Sequence, residues 1–136
     1  MALKITLKPG EHMILGGAVV TNGGSGSCDL IVANKVPILR QKDILSEEKA
    51  NSPCRRIYLS VQLMYIDEPN LSTYHKLYWD LVREVVRAAP STVGLIDAIS
   101  EHILHRRYYQ ALKLIKRLIE YEQEVIERVS GSVESV

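Results

Sequence analysis

The sequence predicts an α+β protein, with a small antiparallel β sandwich or barrel-like N-terminal half followed by a C-terminal bundle of about four helices. Three observations carry this prediction. Leu3, Ile5 and Leu7 alternate with Lys4, Thr6 and Lys8, the period of a half-buried strand. The run YYQALKLIKRLIEYEQEVIERV, which begins at Tyr108, instead repeats its apolar residues at steps of three and four. Between them the composition changes from short apolar runs broken by Gly and Pro to longer charged segments with helical periodicity. The boundaries read as a β-rich part at 1–50, a helical part at 51–130 and a frayed tail at 131–136.

In the first part, Pro9-Gly10 supplies a turn, and His12–Leu15 and Ala18–Asn22 are strands around Gly16-Gly17. Gly23-Gly24-Ser25-Gly26-Ser27 reads as a flexible hairpin link into a strand at Asp29–Val32. Val36–Leu39 follows as a fifth strand. Pro37 within it lacks a donor N–H, which predicts an edge position or a bulge.

Ser46–Lys49 reads as one helical turn. Ser52-Pro53 has the form of an N-cap followed by proline at the first helical position. Ile57, Val61, Met64 and Tyr65 then form a helical stripe, although alternation through Ile57, Leu59, Val61 and Leu63 also fits a strand. Leu71, Tyr74, Tyr78, Leu81, Val82 and Val85 mark a second helix that ends before Pro90. Ser91 is placed to cap a third, containing Ile96, Ile99 and Ile103. The fourth carries Tyr108, Ala111, Leu112, Ile115, Leu118, Ile119, Val125, Ile126 and Val129 on one face, with Lys113, Lys116, Arg117, Glu120 and Glu124 opposite.

At 136 residues and a formal net charge of +1, the composition is that of an ordinary globular chain. No leader pattern and no long apolar run stand out, and Cys28 and Cys54 lack a CxxC spacing. These features predict a cytoplasmic protein with reduced thiols and no membrane association. Residues 1–56 hold eight Lys and Arg against five Asp and Glu, whereas residues 57–136 hold nine against eleven. The mild basic bias of the first part favours a polyanionic partner.

The sequence predicts no enzyme, no cofactor and no metal site. His102 and His105 stand three apart on one helix, but no HExxH or paired CxxC completes a ligand set. The glycine stretches are followed by β-type sequence, with no helix N-terminus to cradle a phosphate. Cys54 precedes Arg55 and Arg56 at a helix start, which predicts a lowered pKa and a mildly reactive thiol outside any catalytic set.

The basic residues point further. Lys35, Arg40 and Lys42 lie in or beside one strand, and Arg55 and Arg56 follow. Arg106, Arg107, Lys113, Lys116 and Arg117 occupy a stretch without an acid, though Lys116 and Glu120 at i,i+4 also fit a solvated, ion-paired face. Residues 1–57 contain no Phe, Tyr or Trp, which excludes the aromatic stacking surfaces of RRM, cold-shock and OB modules. Tyr78 and Tyr108 lie on apolar stripes and read as core. Trp79 and Tyr109 lie beside the stripes and would serve as protein-interface anchors if exposed.

Four segments together resemble the FlbT family of flagellin-expression regulators: LKPGEHMILGGAVVTN at 7–22, ILRQKDIL at 38–45, SPCRRIYLSVQLMYID at 52–67 and RYYQALKLIKRLIEYE at 107–122. The resemblance implies a cytoplasmic, non-enzymatic regulator, named a repressor in the family. It would act after transcription on the 5′ untranslated region of flagellin mRNA, opposite the flagellin-linked protein FlaF. The family pattern has a glycine-type break before the YYQAL segment. Here Leu104-His105-Arg106-Arg107 fill it, which predicts a more continuous and more basic junction. The β half alone is similar to the carbon storage regulator family of RNA-binding dimers. That likeness implies a homodimer, with Arg40 and Lys4 at the RNA.

The combined expectation is an RNA surface of Lys4, Lys35, Arg40, Lys42, Arg55 and Arg56, extended by Arg106 and Arg107. The alternative is an adaptor that senses flagellin or FlaF through Trp79, Tyr109 and the helical stripes.

Overall fold

The computed structural model describes residues 2–134, with side chains through residue 129. The tail expected to fray at 131–136 lies outside the described side chains. The chain divides into two compact units, 1–44 and 45–136.

The first unit holds five strands: β1 (Leu3–Leu7), β2 (His12–Leu15), β3 (Ala18–Thr21), β4 (Cys28–Val32) and β5 (Ile38–Arg40). They form two small antiparallel sheets that do not close into a barrel, β1-β4 and β3-β2-β5. Ile5, Leu7 and Val32 of the first sheet pack with Met13 of the second, and Leu15, Val20, Leu30 and Ile38 complete this core. Alternation along β1 therefore translates directly into burial of Ile5 and Leu7 and exposure of Lys4 and Thr6.

The two glycine links do different jobs. Gly16 and Gly17, at φ +59° and +90°, close a two-residue hairpin between Leu15 and Ala18. Both positions need the left-handed region that only glycine enters without strain. The 22–27 segment is not a hairpin: it carries the chain from β3 in one sheet to β4 in the other. Nor is it a slack link, because buried Asn22 fastens it. The Asn22 amide donates to the carbonyls of Leu7 and Gly26, each at 2.9 Å, and its oxygen accepts from Gly24 N–H at 2.9 Å. Pro37 sits just before β5, an edge strand, and its carbonyl accepts from Gly16 N–H at 2.9 Å.

The second unit holds α1 (Pro53–Ile66), α2 (Leu71–Ala88), α3 (Val93–Leu104) and α4 (Tyr108–Glu134), with a 3₁₀ turn at Glu47–Lys49. The strand-or-helix ambiguity at 57–65 resolves as helix, because Ser52 caps it: its hydroxyl accepts from Arg55 N–H. Gln62 brackets the entry to this unit, its amide accepting from Leu45 N–H at 2.8 Å and donating to Leu45 carbonyl at 3.0 Å. The third helix starts one residue later than expected. Pro90–Thr92 form a 3₁₀ turn, Thr92 is the N-cap, and the Ser91 hydroxyl bonds Tyr121 OH instead.

α1 packs on α2 and α4, and α3 packs on α4. Ile57, Val61, Met64, Ile99, Ala111, Ile115 and Leu118 are sealed from solvent. Tyr78 is fully buried, its hydroxyl paired with Ser100 Oγ at 2.8 Å. The α3–α4 junction, expected to be more continuous than the family pattern, is a break between two helices. α3 ends at Leu104, and Arg106 adopts φ +58°, the left-handed conformation that glycine ordinarily supplies at a helix end.

This strain gives a test. Arg106→Gly should stabilise the protein by about 0.5–1 kcal/mol relative to Arg106→Ala in urea unfolding, since both remove the charge and only glycine relieves the φ. Equal stability of the two variants would contradict the left-handed assignment.

Candidate nucleic-acid interface

Taken from the residues upward, the basic side chains of the β unit separate into engaged and free. Lys4 stands 3.5 Å from Asp29, a diagonal neighbour across the β1–β4 pair, where Lys4 faces Ile31 and Thr6 faces Asp29. Asp29 also accepts from Thr6 Oγ1 at 2.7 Å, and that bond together with Lys4 holds its carboxyl below the ordinary range. Arg40 donates to Thr6 carbonyl at 2.8 Å and lies 3.7 Å from Glu11. Glu11 in turn accepts from Lys8 N–H at 2.9 Å, so Arg40 and Glu11 hold the Pro9-Gly10 turn against β5. Lys4 and Arg40 are thus committed to intrachain contacts that a phosphate would have to displace.

Lys35 and Lys42 are exposed, and neither forms an ion pair among the described residues. They lie near opposite ends of β2. Lys42 follows β5 beside Gln41, whose oxygen accepts from His12 N–H at 3.0 Å, while Lys35 precedes Pro37, which bonds Gly16 beyond Leu15. What the fold does bring together is Lys42 and Lys8. Both line an open hollow of about 550 Å³ with Pro9, Gly10, Glu11 and Gln41. Lys8 is absent from the surface that the sequence predicts. A signal for it exists, since it closes the alternation of β1 immediately before a Pro-Gly turn.

In the helical unit the two arginine pairs are set apart. α1 and α4 run antiparallel: Tyr65 at one end of α1 lies 6.4 Å from Tyr108, while Ser52 and Cys54 at the other end meet Glu122. Arg106 and Arg107 therefore lie at one end of α1 and Arg55 and Arg56 at the other, on the order of 20 Å apart along a helix of that length. Arg55 bonds Gln123 Oε1 at 3.3 Å and Asn51 Oδ1 at 3.5 Å, whereas the Arg56 side chain is exposed. Arg106 reaches Glu68 at 3.7 Å, and Arg107 donates to His102 Nδ1 at 2.9 Å. His105 pairs with Glu101 at 2.9 Å. The two histidines thus have separate partners, and among the described residues no group of three metal-ligating side chains forms.

Trp79 is 39% exposed and Tyr109 36%. Trp79 meets Tyr78 edge-on at 5.2 Å, and Lys113 covers the Tyr109 ring at 4.8 Å.

Cys54 overturns the expectation of a reactive thiol. Burial pushes its pKa up to about 12, the Glu122 carboxylate adds to the rise, and Arg55 opposes it too weakly. The predicted cation is present, but the acid that α4 brings in outweighs it.

The family model described as Flagellar protein FlbT matches residues 3–126. The chain belongs to the FlbT family. FlbT-family relatives match nearly end to end. A probable flagellum biosynthesis repressor of Bradyrhizobium diazoefficiens is 47% identical over 125 residues, covering 92% of this chain and 85% of the relative. The flagellum biosynthesis repressor of Caulobacter vibrioides is 41% identical over 135 residues, covering 98% and 95%. A probable repressor of Rhodopseudomonas palustris is 41% identical over 128 residues, covering 94% and 100%. No solved structure matches the chain. Among the described residues, no helix is long and apolar enough to cross a membrane.

In a Cys28→Ser background at pH 8, a thiol reagent should label Cys54 on the order of a hundredfold more slowly in the folded protein than in urea, because the thiolate is scarce at that pH. Equal rates would show that the thiol is neither buried nor raised.

Proposed function

We propose that this FlbT-family chain regulates flagellum biosynthesis as a non-enzymatic, post-transcriptional repressor that binds the 5′ leader of flagellin mRNA through its β unit. The observation that carries this reading is the Lys8–Lys42 hollow: two exposed ammonium groups with no ion-pair partner among the described residues, on a unit whose other cations, Lys35 apart, are already engaged. Residues 1–44 contain no Phe, Tyr or Trp, so recognition rests mainly on phosphate contacts and backbone polar groups and not on a stacking platform. Lys35 and Arg56, exposed and without an ion pair among the described residues, add to the electrostatic attraction. Arg40, through Glu11, braces the turn that carries the hollow.

A titration of the full chain against a flagellin leader RNA over a series of salt concentrations tests this. Binding should weaken steeply with salt, and Lys8→Gln with Lys42→Gln should flatten the slope by about 0.7 for each phosphate that is no longer neutralised. Arg55→Ala should change the slope less than either lysine variant. Binding that the double variant leaves unaltered, or no binding at all, would refute the assignment.

Trp79 and Tyr109, each more than a third exposed, favour a second reading, in which flagellin or FlaF docks on the helical unit and the effect on mRNA is indirect. Co-purification of flagellin or FlaF with the full chain, abolished by Trp79→Ala, would support it. Its absence in both proteins would remove it.

A further inference from the structure

The solvent side of α4 carries no acid over its first half. From Tyr108 to Ile119 the exposed residues are Tyr109, Gln110, Lys113, Lys116 and Arg117, while Ala111, Leu112, Ile115 and Leu118 are sealed against the bundle. Lys113 and Arg117 stand one turn apart, a like-charge spacing that costs helix stability. Neither forms an ion pair among the described residues, so this repulsion is not relieved within the chain. What Lys113 does touch is an aromatic ring: its ammonium lies over Tyr109, which keeps access to solvent. Tyr109, Lys113 and Arg117 follow one side of the helix at steps of about 5.4 Å.

We propose that this face of α4 is a second contact for RNA, one that takes a single strand, with a base on the Tyr109 ring and the adjoining phosphates on Lys113 and Arg117. Polyanions differ in what they ask of such a face. An anionic membrane needs aliphatic side chains to insert beside the cations, and between Tyr108 and Ile119 α4 exposes none. A duplex offers phosphates but keeps its bases stacked inside, where a tyrosine cannot reach them. A single strand offers both groups, phosphates for the cations and an unpaired base for the ring. Gln110, exposed beside Tyr109, adds an amide that can both donate to and accept from a base edge. The face lies in the helical unit and the Lys8–Lys42 hollow in the β unit. The proposal therefore shares its ligand class with the reading above but none of its residues. Tyr109 then serves RNA, and docking of a protein on the helical unit rests on Trp79.

Fluorescence anisotropy of a labelled oligouridylate and of a duplex RNA of equal length, titrated with the full chain, tests this. Lys113→Gln with Arg117→Gln should flatten the salt dependence of oligouridylate binding by about 0.7 for each phosphate released. Tyr109→Leu should weaken that binding about tenfold, and Tyr109→Phe should retain it, because the ring and not the hydroxyl holds the base. Duplex binding should be indifferent to Tyr109→Leu. All three positions are exposed, so helical circular dichroism should not change. Repeating the series in a Lys8→Gln, Lys42→Gln background separates the two sites. A Tyr109 effect that persists there upholds the α4 contact even where the hollow takes no part. Oligouridylate binding that the α4 variants leave unaltered would overturn the proposal, whatever the lysine variants do. Equal losses for Tyr109→Leu and Tyr109→Phe would overturn the stacking, and polyglutamate bound as tightly as oligouridylate would overturn RNA as the occupant.

Discussion

The helical unit depends on one carboxylate. Glu122 of α4 accepts from the Ser52 hydroxyl and from Cys54 N–H at 3.1 Å, at the start of α1. A helix N-terminus leaves its first N–H groups without partners and concentrates partial positive charge there. Ser52 satisfies one of these groups from within α1, and Glu122 satisfies another from α4. The contact anchors the two helices at the end opposite the Tyr65–Tyr108 ring pair. With both ends held, the stripe of Ala111, Ile115 and Leu118 closes over the core. Glu122 also adds to the burial that keeps the Cys54 thiol protonated.

Glu122 also marks a change along α4. At 27 residues α4 is far longer than the 14-residue α1 it packs against. Up to Leu118 its apolar face stabilises the fold by burial. Val125, Ile126 and Val129 further along the helix are exposed. The β unit divides its cations in a comparable way: Lys4 and Arg40 are held by their own chain, while Lys8 and Lys42 face solvent around a shared hollow.

What is legible in the sequence is local. Strand alternation from Lys4 to Leu7, the Ser52-Pro53 cap and the stripe of α4 each specify structure within a few residues, and each appears where the pattern places it, although Leu3 at the start of β1 is exposed. The Gly16-Gly17 hairpin is legible for the same reason. What escapes is set by partners distant in the chain. Glu122 lies 68 residues from Cys54, so the flanking arginines point to the wrong sign for the thiol. Lys8 and Lys42 meet only because the turn after β1 and the turn after β5 share one hollow. The 22–27 link resembles a hairpin because its glycines do not reveal which sheet the next strand joins. Arg106 escapes for a subtler reason: a helix end can impose a left-handed residue where no glycine announces it.

The central claim, that the Glu122 contact couples α4 to the start of α1, is tested most directly by a double-mutant cycle of Ser52→Ala and Glu122→Ala in urea unfolding. A charge-assisted, part-buried hydrogen bond predicts that the double variant is more stable than the sum of the single losses implies, by about 1.5 kcal/mol. Losses that add to within about 0.3 kcal/mol would mean that the two residues act separately and that α4 is held by its apolar stripe alone.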